Sequence, residues 1–244
     1  MIRMILAINN ECFIGKDNKL MYRLKGDMLN FKTMTQGGIV VMGRKTFQSL
    51  KGALPNRTNY VITSDPTSIN HPSELILTPE QFKEEFLPHH KVSNDNVWII
   101  GGAQVYETAT PFTSEIICTF VDDDEVGDVA LKPKLFGGFT HLATLKSVDV
   151  DEDNDKPYEI TQLVRHEDLE HKLRELQAQQ HEMEKEQTQN NLSTPLENGG
   201  LRQGEAFVIA ATTSAALSQI DTESREDSSD SDSSSSDSSS PSSD

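Results

Sequence analysis

The chain has 244 residues, a formal net charge of −17 and two cysteines, which is length for one medium domain plus additional material. The acidity is uneven: residues 166–244 carry 17 Asp/Glu and 5 Lys/Arg, a net of −12, leaving −5 for residues 1–165. No basic stripe, zinc-finger spacing or stacking-aromatic cluster points to nucleic acid, and no apolar run approaches the roughly 18 residues of a membrane span.

The opening Met1-Ile-Arg-Met-Ile-Leu-Ala-Ile8 is too short and too soon polar for a signal peptide. Cys12 and Cys118 read as reduced core or loop residues. A soluble cytoplasmic protein is therefore expected, in the host's cytoplasm if the source is viral.

Ile2–Ile8 has the continuous apolar character of a strand buried on both faces. A helix is expected over Asp27–Met34 and a second strand over Gly38–Met42. Gly43-Arg44-Lys45-Thr46 then opens a short helix ending near Leu50. Asn59–Thr63 is a third strand and Leu75–Leu77 a fourth. Pro79–Phe86 reads as a helix with Thr78 as N-cap and Pro79 at its first position. Val97–Ile100 is a further strand, followed by Gly101-Gly102 and a helix over Ala103–Thr108. Ile116–Val121, His141–Val150 and Tyr158–Val164 make a strand-rich end. Strand, crossover helix, strand is the α/β pattern, and the late strands imply an antiparallel edge.

Asp27 is the first residue of chemical interest. Leu24, Met28 and Phe31 recur at helical spacing, and Asp27 sits at the edge of their apolar stripe. A carboxylate there is either tipped into solvent near a helix start or held in a pocket against a ligand with amidine-like donors. Two strand–glycine–helix junctions come next. Gly43 with Arg44, Lys45 and Thr46 is either a plain turn followed by solvated cations or an anion site at a helix start, and Gly101-Gly102 with Ala103, Gln104, Val105 and Tyr106 repeats the arrangement, although paired glycines alone are a weak signal. Two such junctions in one small domain imply a ligand with more than one phosphate across the strands' carboxyl ends. No G-x-G-x-x-G fingerprint is present. In Leu54-Pro55-Asn56-Arg57 a rigid turn precedes an arginine, which is either a surface residue or a bidentate clamp for a carboxylate.

Taken in order, these pieces make residues 1–165 resemble dihydrofolate reductase of the chromosomal type. The resemblance runs through Ala7, Ile14-Gly15, Asp27 with Phe31, Val41-Met42-Gly43-Arg44 with Thr46, and Leu54-Pro55 with Arg57. It continues through Ser64, Ile100-Gly101-Gly102 with Val105-Tyr106, Thr119, and Gly127-Asp128. It covers about two-thirds of the chain and stops before the tail.

The resemblance implies a single three-layer α/β domain with a central mixed, mostly parallel sheet flanked by helices. It implies reduction of 7,8-dihydrofolate to tetrahydrofolate with NADPH, serving one-carbon metabolism and thymidylate synthesis, without a metal. On it, Asp27 pairs with the pterin 2-amino group and N3, and Thr119 assists through water. Ile5, Ala7, Met28, Phe31, Leu50, Leu54 and Ile100 line the substrate, Arg57 grips the glutamate α-carboxylate, and Lys32 lies nearby. Ala7, Ile14 and Gly15 fall at the nicotinamide, with Tyr106 near its reacting face. Gly43–Thr46 and Gly101–Val105 hold the pyrophosphate, and Arg44 and Ser64 hold the 2′-phosphate. A cis Gly101–Gly102 bond is implied, as is a loop, Asn9–Leu24, that closes over the nicotinamide and is braced by Asp122–Asp128. Many relatives carry Pro-Trp where this chain has Met21-Tyr22, so Tyr22 offers a hydroxyl where an indole N–H usually orders a water.

Beyond residue 165 the reading is separate. His166–Asn190, with Leu169, Leu173, Leu176 and Met183, is expected to be a helix, either solvated or a short coiled coil. Asn191–Gly204 reads as a linker, residues 205–220 carry the apolar Phe207–Ala211, and Asp221–Asp244 is Ser/Asp low complexity expected to be disordered. A monomer is expected, with the tail as the segment available to an unknown protein partner. Two other classes stay open: a reductase of another pterin or pyrimidine substrate, and a scaffold protein that binds through its tail. Asp27 and Arg57 together weigh against the first, since that branch needs no glutamate clamp.

Overall fold

A computed structural model describes residues 1–50 and 52–193, with side chains placed as far as 185. The expectations for the Ser/Asp end, the apolar segment 205–220 and most of the linker fall outside the described residues. Among the described residues no helix is long and apolar enough to cross a membrane.

Eight strands form one sheet: β1 (Ile2–Asn9), β3 (Ile39–Gly43), β4 (Thr58–Ile62), β5 (Ile76–Leu77), β6 (Val97–Gly101), β7 (Glu115–Val121), β9 (Phe139–Val148) and β10 (Tyr158–Arg165). Their spatial order is β5-β4-β3-β6-β1-β7-β10-β9. Every pairing from β5 to β7 is parallel, while β10 runs antiparallel to both β7 and β9. The mixed sheet with an antiparallel edge is thus as the sequence implies. A separate ribbon of β2 (Phe13–Gly15) and β8 (Val129–Ala130) has no counterpart in the sequence reading.

The helices are α1 (Lys25–Thr35), α2 (Arg44–Ser49), α3 (Pro79–Gln81), α4 (Leu87–Val92), α5 (Ala103–Ala109) and α6 (Leu169–Ser193). Thr78 caps α3 as expected: its hydroxyl accepts from Gln81 N, and Gln81 Oε1 accepts from Thr78 N, a reciprocal box. The helical path does not stop at Phe86. It passes through a wider π turn, Phe82–Phe86, into α4, whose second residue is Pro88. Proline has no N–H to give to the preceding turn, and the widened turn absorbs that loss.

Alternation along the strands divides the apolar residues between two faces. Met4, Leu6, Val41 and Ile99 pack with Phe82, Leu87, Val105 and Tyr106 on one face. Ile5, Val40, Met42, Trp98 and Ile117 pack on the other, against Phe31 and Met34 of α1. This corrects the stripe on α1. Leu24 is buried but precedes the helix, and Met28 is 47% exposed. The line turned toward the sheet is Asp27, Phe31 and Met34, at i, i+4 and i+7, so Asp27 occupies an inward position rather than the edge.

At the start of α1, a Cβ on Gly26 would overlap the Tyr158 hydroxyl. That hydroxyl is itself buried and has no hydrogen-bond partner among the described residues. Gly26→Ala should therefore destabilise the fold by about 1–3 kcal/mol through overpacking, although alanine normally favours a helix. Tyr158→Phe alone should cost little or stabilise, and the double variant should recover most of the loss. Urea unfolding of the four proteins checks this, and simple additivity would refute the contact.

Candidate active site

The parallel strands end together, and the residues singled out from the sequence gather at that end. Ala7 on β1 pairs in register with Thr119 on β7. Thr119 Oγ1 donates to Asp27 Oδ1 at 2.6 Å, joining residues 92 apart in sequence. Asp27 shares a cavity with Ala7, Phe13, Ile14, Leu20, Met21, Tyr22, Leu24 and Met28. Burial raises the Asp27 pKa above its ordinary 3.8, and the Thr119 hydrogen bond partly opposes that rise. Phe13, Leu20 and Leu24 were not among the sequence candidates. Their signal was the apolar residues scattered through a loop that otherwise reads as polar.

Ile5 belongs to the apolar cluster on the α1 face, and Phe31, Leu50, Leu54 and Ile100 pack partly buried against it. Arg57 stands at the rim of this group. Its Nη1 donates to Thr35 Oγ1 at 2.9 Å and its Nε to the Pro55 carbonyl at 3.0 Å, with the guanidinium 5.8 Å from the Phe31 ring centre. Among the described residues it has no carboxylate partner within salt-bridge distance. The preceding turn is shaped by buried Asn59, whose side chain bonds Leu54 N, Leu54 O and Arg57 O, all at 2.9 Å. Asn56 takes a φ of 57°, a left-handed conformation that asparagine tolerates. Lys32 is exposed on α1 beyond Phe31.

The two glycine junctions are neighbours, because β3 and β6 pair and Met42 lies opposite Gly101 after a register shift. The Gly101–Gly102 peptide is cis. A Cβ on Gly43 would come within 3.3 Å of Val105 Cγ2, and one on Gly101 or Gly102 within 3.4–3.5 Å of Thr46 Oγ1. Gly43, Thr46, Gly101, Gly102 and Val105 thus form one backbone-lined cradle, with Ala103 and Gln104 opening α5 beside it. Arg44 is half-buried at the start of α2, Lys45 is exposed, and Ser64 is exposed just past β4. Tyr106 is buried and donates its hydroxyl to the Ile5 carbonyl at 2.8 Å, tying α5 to β1. Burial pushes its pKa well up.

Tyr22 lines the cavity with Asp27, but its hydroxyl is tied to other groups. Its hydroxyl donates to Asp123 Oδ2 at 2.8 Å and accepts from Asn9 Nδ2 at 3.2 Å. Burial, with the Asp123 hydrogen bond, pushes its pKa up to about 12. Ile14 and Gly15 lie on β2, which the Asp122–Asp128 segment braces: Asp128 N donates to Gly15 O at 3.0 Å and Lys16 pairs with Glu125 at 2.8 Å.

The raised pKa of Asp27 makes a stability prediction. A carboxyl with a raised folded-state pKa contributes fully below its unfolded value, and that contribution is lost as pH rises through the folded pKa. Asp27→Asn should therefore be more heat-stable than the parent at pH 7, the gap opening as pH climbs above about 3.8. Thr119→Val should raise the Asp27 pKa further, because it removes the bond favouring the charged form. Thermal melts across pH check the first outcome, and carboxyl titration by NMR checks the second.

A family model described as dihydrofolate reductase matches residues 1–165. The dihydrofolate reductase of Bacillus subtilis (strain 168) is 34% identical over 128 residues, 52% of this chain and 73% of that protein. The bifunctional dihydrofolate reductase-thymidylate synthase of Paramecium tetraurelia is 37% identical over 139 residues, 56% of this chain but 29% of that protein. A solved dihydrofolate reductase from Enterococcus faecalis, complexed with NADP(H) and RAB-propyl, superposes with a TM-score of 0.60 at 27% identity, covering 68% of this chain and 96% of that one. With the matched model spanning more than half of the chain, the protein belongs to the dihydrofolate reductase family.

Proposed function

We propose that residues 1–165 reduce 7,8-dihydrofolate to 5,6,7,8-tetrahydrofolate with NADPH, and that the residues gathered at the carboxyl end of the sheet carry the reaction. The observation that supports this most is Asp27, a carboxylate on the inward line of α1, held by Thr119 beside an apolar cavity. Its free lone pairs match two adjacent N–H donors, the pattern that an aminopyrimidine ring edge presents. Arg57, which pairs with no carboxylate among the described residues and is held by Thr35 and Pro55, suits the substrate's glutamate.

The cradle at Gly43, Thr46 and Gly101–Val105 suits a dinucleotide pyrophosphate, since the paired strands β3 and β6 bring two helix starts and their backbone N–H groups side by side, with the glycines packed closely on Val105 and Thr46. When bound, NADPH supplies the hydride that reduces pterin C6. Arg44 and Ser64 would receive the 2′-phosphate, and Ala7, Ile14 and Gly15 would flank the nicotinamide. Tyr106 fixes the carbonyl of Ile5 and packs against Gly101. Asp27 orients and polarises the pterin, and water delivers the proton to N5. The apolar walls keep the site dry, so most of the acceleration comes from positioning.

The direct test is an NADPH-oxidation assay with dihydrofolate. Asp27→Asn should keep NADPH binding but lose most turnover near neutral pH, with activity recovering as pH falls and the substrate protonates itself. Near-native turnover at pH 7 would remove Asp27 from the mechanism. Arg57→Leu should raise KM for dihydrofolate far more than for a pterin without the glutamate. Losing a charge-assisted pair costs ~1.5–3 kcal/mol, about ten- to more than a hundredfold in affinity. Equal losses for both substrates would make Arg57 structural.

A further inference from the structure

A second group of chemically capable side chains lies far from Asp27, at the other end of the sheet. Asp95 sits just before β6 begins at Val97, whereas the glycine cradle is at that strand's carboxyl end. His89 and His90 are in the last turns of α4, which packs on the sheet face opposite α1 through Leu87 and the preceding Phe86. His90 Nδ1 and Asp95 Oδ2 are 2.8 Å apart. One ligand atom from each of His89, His90 and Asp95 can be chosen so that all three lie within 4.8 Å of one another.

We infer that His89, His90 and Asp95 form a binding site for a divalent transition metal of the zinc class, separate from the reductase centre. Two imidazoles and one carboxylate, with water in the fourth position, are a donor set that suits Zn²⁺, Co²⁺ or Ni²⁺. They suit Mg²⁺ or Ca²⁺ poorly, since those ions prefer oxygen throughout.

The widest of the three separations, up to 4.8 Å, has to close by about 1.5 Å, and the side chain of His89 supplies that movement. Ligands at about 2.0–2.1 Å from a tetrahedral ion stand roughly 3.3 Å apart, so the His90–Asp95 pair would open by about half an ångström. The His90 ring is held by Phe86, 4.1 Å away centre to centre. Asp95 Oδ2 is oriented by the Ser93 hydroxyl at 2.8 Å, the kind of outer contact that fixes metal ligands. His89 is exposed, its ring 4.9 Å from that of His90, and can rotate into place. The end of a helix is also where its dipole favours a cation. A metal here would clip the end of α4 to the entry of β6, beside the chain's first residue, whose amino group bonds the Asp95 carbonyl at 2.6 Å.

The test is Co²⁺ titration of the full chain followed by visible absorption, with calorimetric melting in Zn²⁺, Mg²⁺ or EDTA. One Co²⁺ should bind per chain with the absorption of a four-coordinate nitrogen-containing site, and Zn²⁺ but not Mg²⁺ should raise Tm. Asp95→Asn and His90→Gln should abolish both effects, and His89→Ala should weaken Co²⁺ binding at least tenfold. NADPH-oxidation activity should stay at the parent level in all three. Should His90→Gln fail to fold, the exposed positions His89 and Asp95 decide the matter alone. No four-coordinate spectrum in the parent, or equal uptake by Asp95→Asn and His89→Ala, would overturn the site and assign any bound metal to the acidic residues elsewhere.

Discussion

The hydrogen bond from Thr119 to Asp27 is the contact on which the site's chemistry turns. Asp27 stands in line with Phe31 and Met34, a position that helix packing reserves for apolar side chains. Desolvation there opposes its charge, and one hydroxyl donor compensates only in part, so the net effect is a raised pKa. No cation is among the causes of that shift. A carboxylate held this way keeps unused acceptor capacity in a low-dielectric setting. A ligand with two parallel donors then gains more from it than it would from a solvated acid. On the proposed reading, selectivity for an aminopyrimidine edge comes from leaving the acid incompletely satisfied, and the fold bears a stability cost for doing so.

Sheet topology brings this acid and the glycine cradle to the same edge. Parallel pairing from β5 through β7 brings the carboxyl ends of β1, β3, β4 and β6 to one edge. β1 lies between β6 and β7, so Ala7 is next to Thr119, while Gly43 and Gly101 sit on the adjacent pair β3 and β6. A substrate at Asp27 and a dinucleotide at the cradle would therefore meet above β1. Ligand sites at a crevice outside the strand ends are the general consequence of such crossovers.

What the sequence revealed follows from how local each signal is. The central strands are unbroken apolar runs, and the glycine junctions follow them directly, so both were legible. The β2–β8 ribbon was not, because strands of two and three residues have no measurable period. Pro88 reads as a stop, yet the preceding π turn carries the helix through it, and only packing of Phe82, Phe86 and Leu87 reveals that. Spacing placed Asp27 at the edge of its stripe because Leu24 was counted as helical. The Thr119 partner comes from β7, and no pattern within α1 points to it. Arg57 was visible as a residue but not as a fixed one, since its aim depends on Thr35 and on the turn held by Asn59.

The acidic run Asp122–Glu125 lies on the loop that braces β2 and Tyr22. Left unpaired, four carboxylates at the mouth would repel an anionic substrate and an anionic dinucleotide alike. They are instead drawn into contacts. Lys156 Nζ lies 2.5 Å from Asp123 Oδ1, Lys16 pairs with Glu125, and Asn10 Nδ2 donates to Asp122 and Asp124 at 3.2 and 3.0 Å. Asp123 in particular receives Tyr22, Lys156 and the Glu125 N–H, and Lys156, the first of these in effect, lowers its pKa. One carboxylate thereby fastens three chain segments: the loop carrying Tyr22, its own turn, and the stretch before β10. A tryptophan at position 22 would offer a donor of different reach and could not also accept from Asn9. The tyrosine is therefore matched to the acidic turn opposite it.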